Sequence, residues 1–185
     1  GIKPWGFHLS NMIFHTVSCI LVYLIGTALF HKRYVAIVTS LLFACHPIHT
    51  ESVTWISGRT DVIAGMFFLS AFYFYQRTIK PLLTYENTRI PNSPEAIKLI
   101  FKKGGGFYAS SVVSFVIAML CKEMVATLPF LVIAYTYYFV RLENGRQYKI
   151  SLLLSTPYFL IILFYGVIRF VVLEIHTVVH SGGEE

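Results

Sequence analysis

Long apolar runs separated by short polar connections dominate the pattern of this 185-residue chain. Six runs lack Asp, Glu, Lys and Arg and have apolar cores near the length that crosses a hydrocarbon layer of about 30 Å. They cover residues 9–31, 34–50, 62–76, 104–121, 124–140 and 150–168. Only helices and closed barrels satisfy their backbone hydrogen bonds in lipid. The pattern therefore predicts an all-α, polytopic membrane helical bundle with about six transmembrane helices.

The composition agrees with a membrane protein, because 56% of the residues are hydrophobic, 13% are charged and the mean hydropathy is +0.65. The chain starts with Gly1, and no basic segment with a cleavage site precedes the first run. We therefore interpret the first run as an internal span and not as a signal peptide. Residues 1–185 are expected to form a single membrane domain that is a fragment of a longer protein.

The basic residues predict the orientation of the chain, since Lys and Arg beside a span are retained in the cytoplasm. Eleven of the 15 fall in one set of alternate connections, which we predict to be cytoplasmic: Lys32, Arg33, Arg77, Lys80, Arg89, Lys98, Lys102, Lys103, Arg141, Arg146 and Lys149. The other four lie near the opposite face, with six of the nine acidic residues: Lys3, Arg59, Lys122 and Arg169, with Glu51, Asp61, Glu123, Glu174, Glu184 and Glu185. This bias accounts for the net charge of +6, so no nucleic acid partner is expected.

The longest polar connection, residues 79–103, is predicted to be a cytoplasmic loop with a short interfacial helix. Ser93 is a suitable N-cap, Pro94 suits the first helical position, and the glycines at 104–106 are expected to end the helix. Apolar residues alternate with lysines between them, as in helices that rest on lipid headgroups.

Residues 46–61, HPIHTESVTWISGRTD, concentrate charge at the predicted outer face. Pro47 cannot donate a backbone hydrogen bond, so it favours a break after the 12 residues that start at Tyr34. We expect a broken or interfacial helix with its ionisable groups near the membrane surface. These candidate site residues are His46, His49, Glu51, Arg59 and Asp61.

Several interpretations of this motif remain open. Arg59 can bind a phosphate with two parallel hydrogen bonds, while a carboxylate accepts a proton from a hydroxyl. Alternatively, Arg59 and Asp61 are charges at the end of a span, and Glu51 is a solvated partner of Arg59. A divalent metal bound by His46, His49 and Glu51 is not favoured, because Pro47 disrupts the register and the spacing is not a zinc signature.

A second polar cluster, Lys122-Glu123, interrupts residues 107–140. As one helix these 34 residues would extend about 51 Å, which is too long for a single crossing. We predict a reversal of the chain there, which places Lys122 and Glu123 at the same face as Arg59. They either line a substrate path or form an ion pair with each other at the turn.

Residues 43–61, together with NMIFH at 11–15 and Lys122-Glu123 followed by Pro129, resemble the transmembrane and tetratricopeptide repeat-containing (TMTC-like) proteins and their prokaryotic relatives. The resemblance implies part of a membrane domain with the C-type glycosyltransferase fold. Such enzymes transfer a sugar from a polyprenyl-phosphate donor to an acceptor hydroxyl at the luminal or periplasmic face, and in animals the family is linked to O-mannosylation of cadherins.

The resemblance also implies roles for individual residues. The catalytic base of the family is an acidic pair in the first outer loop, so we expect it upstream of Gly1, with Glu51 and Asp61 as secondary candidates. Arg59 is the best candidate for holding the lipid phosphate during inverting transfer. The residues expected to assist in binding the lipid phosphate or substrate are His46, His49, Lys122 and Glu123.

The implied partners are membrane lipid, a polyprenyl-phosphate-linked sugar and a protein acceptor, and no cofactor is assigned. The implied location is the endoplasmic reticulum membrane in a eukaryote or the cytoplasmic membrane in a prokaryote. A transporter or flippase-like protein with charges along a substrate path is the alternative. Clustering of the charges at one face argues against it, because transporter sites usually lie near the bilayer midplane. A non-catalytic membrane scaffold is a third option.

Overall fold

The computed structural model describes residues 5–55, 58–83, 93–140 and 147–173, and the regular elements in these ranges are all helical. The prediction of an all-α bundle is therefore confirmed. In chain order the elements are α1 (Trp5–Phe30), α2 (Arg33–Cys45), α3 (Ile48–Thr54), α4 (Arg59–Leu83), α5 (Ser93–Cys121), a 3-10 helix (Glu123–Thr127), α6 (Leu128–Phe139), α7 (Gln147–Val167) and a π-helical segment (Ile168–Leu173).

Three helical stretches in the described ranges are long and apolar enough to cross a membrane: Trp5–Phe30, Pro94–Cys121 and Gln147–Val171. The other predicted spans correspond to different kinds of helix. Two are short apolar helices, Arg33–Cys45 and Glu123–Phe139, and the 13 residues of α2 rise only about 20 Å. The third is α4, which has 25 residues but is less apolar.

Helices α4 and α5 form an antiparallel hairpin at the centre of the bundle. The Ser111 hydroxyl on α5 donates to the Ala71 carbonyl on α4, with an oxygen–oxygen distance of 2.5 Å. At one end of the hairpin Gly104 lies against the backbone of Thr78. At the other end Lys122 pairs with Asp61.

Helix α6 runs parallel to α4 and antiparallel to α5. Lys122, just before α6, lies beside the start of α4, and Thr136 on α6 is hydrogen-bonded to Tyr75 further along α4. The predicted reversal near Lys122 is thus present. Helix α7 then runs parallel to α5: the Tyr108 hydroxyl on α5 donates to the Leu154 carbonyl at 2.7 Å, and Phe115, two turns further along, makes an edge-to-face contact with Tyr158. The hydroxyl groups of Tyr75, Tyr108 and Ser111 therefore find partners on neighbouring helices.

Helices α1 and α2 pack antiparallel to each other. The Ser40 hydroxyl donates to the Cys19 carbonyl at 2.8 Å, and an added Cβ on Gly26 would lie 3.2 Å from the backbone of Ala36. Helix α2 ends at Cys45 and α3 starts at Ile48. The break that was predicted from Pro47 is therefore confirmed.

The structure differs from the prediction of a separate short helix before Gly104. Residues 93–103 are the first turns of α5, which continues through the three glycines to Cys121. Ala96 and Ile100 are fully buried, and Gly104 allows the backbones of α4 and α5 to touch at Thr78. The glycines thus permit close helix packing and do not end the helix. The cytoplasmic location of this segment stays a prediction.

The helix directions place different charge patterns at the two ends of the bundle, one balanced and one strongly basic. The motif end contains Arg59, Lys122 and Arg169 with Glu51, Asp61 and Glu123, so its described charges balance. The basic end contains eight described cations and Glu95: Lys32, Arg33, Arg77, Lys80, Lys98, Lys102, Lys103 and Lys149. Predicted site residues therefore share one end.

Candidate active site

Three neighbouring cavities at the motif end all have Asp61 in their lining. A polar cavity of about 360 Å³ is lined by Glu51, Ser52, Trp55, Gly58, Asp61 and Lys122. An apolar cavity of about 290 Å³ is lined by His15, Ser18, Phe43, His49, Ser52, Val53, Asp61, Val62, Gly65, Phe68 and Leu69. A third, of about 260 Å³, is lined by Asp61, Ala64, Gly65, Phe68, Lys122, Met124 and Val125. Asp61 is thus the residue that these three cavities share.

Asp61 forms an ion pair with Lys122, and both side chains are partly exposed, at 39% and 36%. Asp61 lies in the first turn of α4, where a carboxylate interacts favourably with the helix dipole. Lys122 has an extended backbone conformation and connects α5 to the 3-10 helix. The ion pair therefore joins the motif at 46–61 to the second polar cluster.

Arg59, the first residue of α4, lies beside α1 and does not line these three cavities. Its guanidinium carbon is 5.8 Å from the ring centroid of Phe7, within the range of a cation–π contact. Among the described residues it forms no ion pair, so the alternative in which Glu51 neutralises it is not observed. Glu51 instead lies on α3 at the polar cavity.

Glu123 binds Arg169 of the π-helical segment that follows α7, with a nitrogen–oxygen distance of 3.1 Å. A hydrogen bond from its own backbone N–H, followed by the interaction with Arg169, lowers the pKa of the Glu123 carboxyl. Lys122 and Glu123 are therefore not paired with each other as one alternative proposed. Each binds a partner from another helix, which fixes the turn between α5 and α6.

The histidines of the motif pack against aromatic rings. The ring centroid of His49 lies 4.4 Å from that of Phe43 and 5.2 Å from that of His15. Partial burial, followed by the proximity of His15 and His46, lowers the pKa of His49. His46 lies between α2 and α3, and its Nδ1 accepts the Ile48 N–H at 3.2 Å. In the described ranges no three His, Cys, Asp or Glu side chains form a group that could hold a metal ion.

The structure thus brings together only part of the predicted site. Glu51, Asp61 and Lys122 surround the polar cavity, and His49 lines the apolar cavity. Three predicted residues lie at the same end but outside these cavities: His46, Arg59 and Glu123. The sequence patterns did not predict that His15 and Ser52 line the cavities, or that Asn11 bonds to the end of α3. The NMIFH segment at 11–15 was a signal for two of them.

Part of the chain is similar to curated proteins of one family. It is 48% identical over 80 residues to protein O-mannosyl-transferase TMTC1 of Mus musculus and 45% identical over 80 residues to TMTC3 of Homo sapiens; each match covers 43% of this chain. It is 42% identical over 77 residues, or 42% of the chain, to protein O-mannosyl-transferase tmtc2 of Xenopus laevis. The chain is TMTC-like over this segment.

The TMTC-like segment covers only a small share of those relatives, 8% of mouse TMTC1 and 9% of each of the other two. No family model matches the chain, and no solved structure matches it. The resemblance seen in the motifs is thus confirmed over less than half of the chain.

Proposed function

We propose that this chain is part of a membrane glycosyltransferase that moves a sugar from a polyprenyl-phosphate donor to a protein hydroxyl. The reaction is of the protein O-mannosylation type and takes place at the luminal or periplasmic face. The observation that supports it is the identity of 38–48% to proteins that are named protein O-mannosyl-transferases. The cavities at the motif end are the proposed location of this reaction.

Arg59 is the proposed ligand of the donor phosphate. The other two cations in the described part of the motif end, Lys122 and Arg169, are neutralised by carboxylates, whereas Arg59 makes a cation–π contact with Phe7 and no ion pair there. Its planar guanidinium can give two parallel hydrogen bonds to phosphate oxygens. The N-terminus of α4 adds a favourable dipole at the same place. A departing lipid phosphate would gain negative charge within reach of this group.

Asp61 and Lys122 are proposed to orient the reacting groups at the polar cavity. In an inverting transfer a carboxylate removes the proton of the acceptor hydroxyl while the hydroxyl oxygen attacks the anomeric carbon. Glu51 and Asp61 both line the cavity and are secondary candidates for this role. The principal base is proposed to come from another part of the full-length protein. In this proposal the Lys122 ammonium group stabilises the negative charges of Asp61 and of the phosphate.

The full-length protein, reconstituted in lipid nanodiscs, tests the proposal. We expect transfer of radiolabelled mannose from polyprenyl-phosphate-mannose to a folded protein acceptor, and none from a nucleotide-activated mannose. Transfer from the nucleotide sugar alone would show that the donor class is wrong. Movement of the lipid-linked sugar across a sealed vesicle, without transfer to protein, would instead favour a flippase.

A further inference from the structure

Asn11 connects α1 to the end of α3 through two hydrogen bonds. Its side chain is fully buried, and its Nδ2 donates to the carbonyl oxygens of Val53 at 3.2 Å and of Trp55 at 3.4 Å. The partners are 42 and 44 positions away in the sequence. A side chain on the first long helix therefore holds a segment of the charged motif.

The chemistry of helix ends explains why an amide is suited to this place. The last carbonyl groups of a helix have no partner within the helix, and α3 has only seven residues. A carboxamide carries two N–H donors on one nitrogen, so it can satisfy two neighbouring carbonyls at once. An aliphatic residue of similar size would remove this partner from both carbonyls, of which the Trp55 carbonyl also accepts the Gly58 N–H at 3.1 Å.

The segment held by Asn11 forms a wall of the candidate active site. Ser52 lines both the polar and the apolar cavity, Val53 lines the apolar one, and Trp55 lines the polar one. Gly58 lies against this wall, because an added Cβ there would lie 2.8 Å from the Ser52 carbonyl oxygen. A shift of this wall would change the shape of both cavities. Asn11 itself lines none of the three cavities described above.

We propose that Asn11 is a positioning residue that fixes the C-terminal end of α3 and so sets the wall shared by the two cavities. It acts on substrate through this wall and not by contact. Its effect on sugar transfer rests on the proposed function. Its effect on the order of α3 does not.

Hydrogen–deuterium exchange of the full-length protein in nanodiscs tests the effect on α3. In Asn11→Leu we expect the amides of residues 48–55 to exchange about tenfold faster, because the Val53 and Trp55 carbonyls lose their hydrogen bonds to this side chain. Exchange in α4 and α5 should remain unchanged. Thr16→Val is the matched control, because the Thr16 hydroxyl on α1 donates to the Met12 carbonyl of its own helix. It should leave exchange in α3 as in the wild type.

Asn11→Asp separates hydrogen bonding from packing. A protonated carboxyl can donate one of the two bonds, whereas an ionised carboxylate donates none and repels the two carbonyls. After correction for intrinsic exchange rates, the excess exchange of residues 48–55 should therefore rise with pH in Asn11→Asp and not in Asn11→Leu. This variant also provides a test if Asn11→Leu fails to insert.

The transfer assay completes the experiment. Asn11→Leu should raise the KM for the lipid-linked sugar at least threefold with a smaller change in kcat, because the wall shapes the cavities without joining the reaction. Wild-type exchange in α3 of both variants would overturn the proposal, and so would a uniform increase through α4 and α5. If the wild type transfers no sugar, the proposed function fails while the exchange experiment still decides the role of Asn11.

Discussion

Lys122 and Asp61 form an ion pair across 61 positions of sequence, and the pair lies where the three cavities of the motif end meet. Each side chain is more than one third exposed. Solvent screens such a pair, so it contributes little to stability, below about 1 kcal/mol. Its position therefore points to a role in the site more than to a role in folding.

Exchanging the two charges tests this role. We expect Asp61→Asn to lower the melting temperature only slightly but to reduce sugar transfer by about two orders of magnitude, if Asp61 acts on a group in the transition state. The double variant Asp61→Lys with Lys122→Asp should restore the ion pair and the melting temperature. It should not restore transfer. Recovery of transfer in the double variant would show that only the ion pair matters.

Arg59 offers a second test, because its described neighbour is aromatic. Arg59→Ala should reduce transfer by about two orders of magnitude if the guanidinium holds the phosphate, and Arg59→Lys should keep part of the activity. Phe7→Leu is the matched variant, since it removes the cation–π contact but leaves the charge. Equal losses in Arg59→Ala and Phe7→Leu would mean that Arg59 only anchors α1 to α4.

The contact between α4 and α5 predicts opposite effects of alanine at two neighbouring glycines. A Cβ on Gly104 would lie 2.5 Å from the Thr78 carbonyl oxygen, whereas a Cβ on Gly106 would meet nothing within 4 Å. Gly104→Ala should therefore destabilise the protein by about 1–3 kcal/mol. Gly106→Ala should be neutral or stabilise it by up to about 1 kcal/mol, because alanine favours helix. Thermal unfolding in detergent measures both, and equal effects would contradict the described packing.

His49 predicts a loss of stability in mild acid. Its pKa is lowered in the folded protein by burial and by the nearby His15 and His46, so the unfolded chain binds a proton more readily. The free energy of unfolding should therefore fall as the pH drops below the ordinary histidine value of about 6.5. His49→Gln should make the melting temperature less dependent on pH between about 5 and 7. If the melting temperature of His49→Gln depends on pH as in the wild type, His49 does not contribute to the loss of stability in acid.

The orientation of the bundle can be tested with single cysteines. Glu95 lies at the basic end and Thr54 at the motif end, and both side chains are exposed. In a background without Cys19, Cys45 and Cys121, Glu95→Cys and Thr54→Cys should react with an impermeant reagent from opposite sides of the membrane. Labelling from the same side would overturn the predicted topology.

Sequence patterns predicted the fold class, the break at Pro47 and the reversal at Lys122, because each depends on local rules of length, charge and backbone chemistry. They also placed Asp61 and Lys122 at the same end. They did not predict that these two residues pair. Hydropathy and charge give the height of a residue along a bundle, whereas pairing depends on the rotation of each helix about its axis.

The same limit explains the error at Gly104. Consecutive glycines end many helices, so the local rule predicted a helix end. The structure uses Gly104 for contact with a helix that lies 26 positions earlier at Thr78, and buried Ile100 continues the same face. Tertiary packing therefore overrides the local preference of these residues.

The order in which the hairpin of α4 and α5 is synthesised has a consequence for its assembly. Asp61 leaves the ribosome 61 residues before Lys122. At translation rates of about 5–20 residues per second, Lys122 is therefore synthesised roughly 3–12 s after Asp61. Early in biogenesis the start of α4 depends on water, headgroups or the membrane insertion machinery to solvate Asp61. Docking of α5 against α4 then neutralises it.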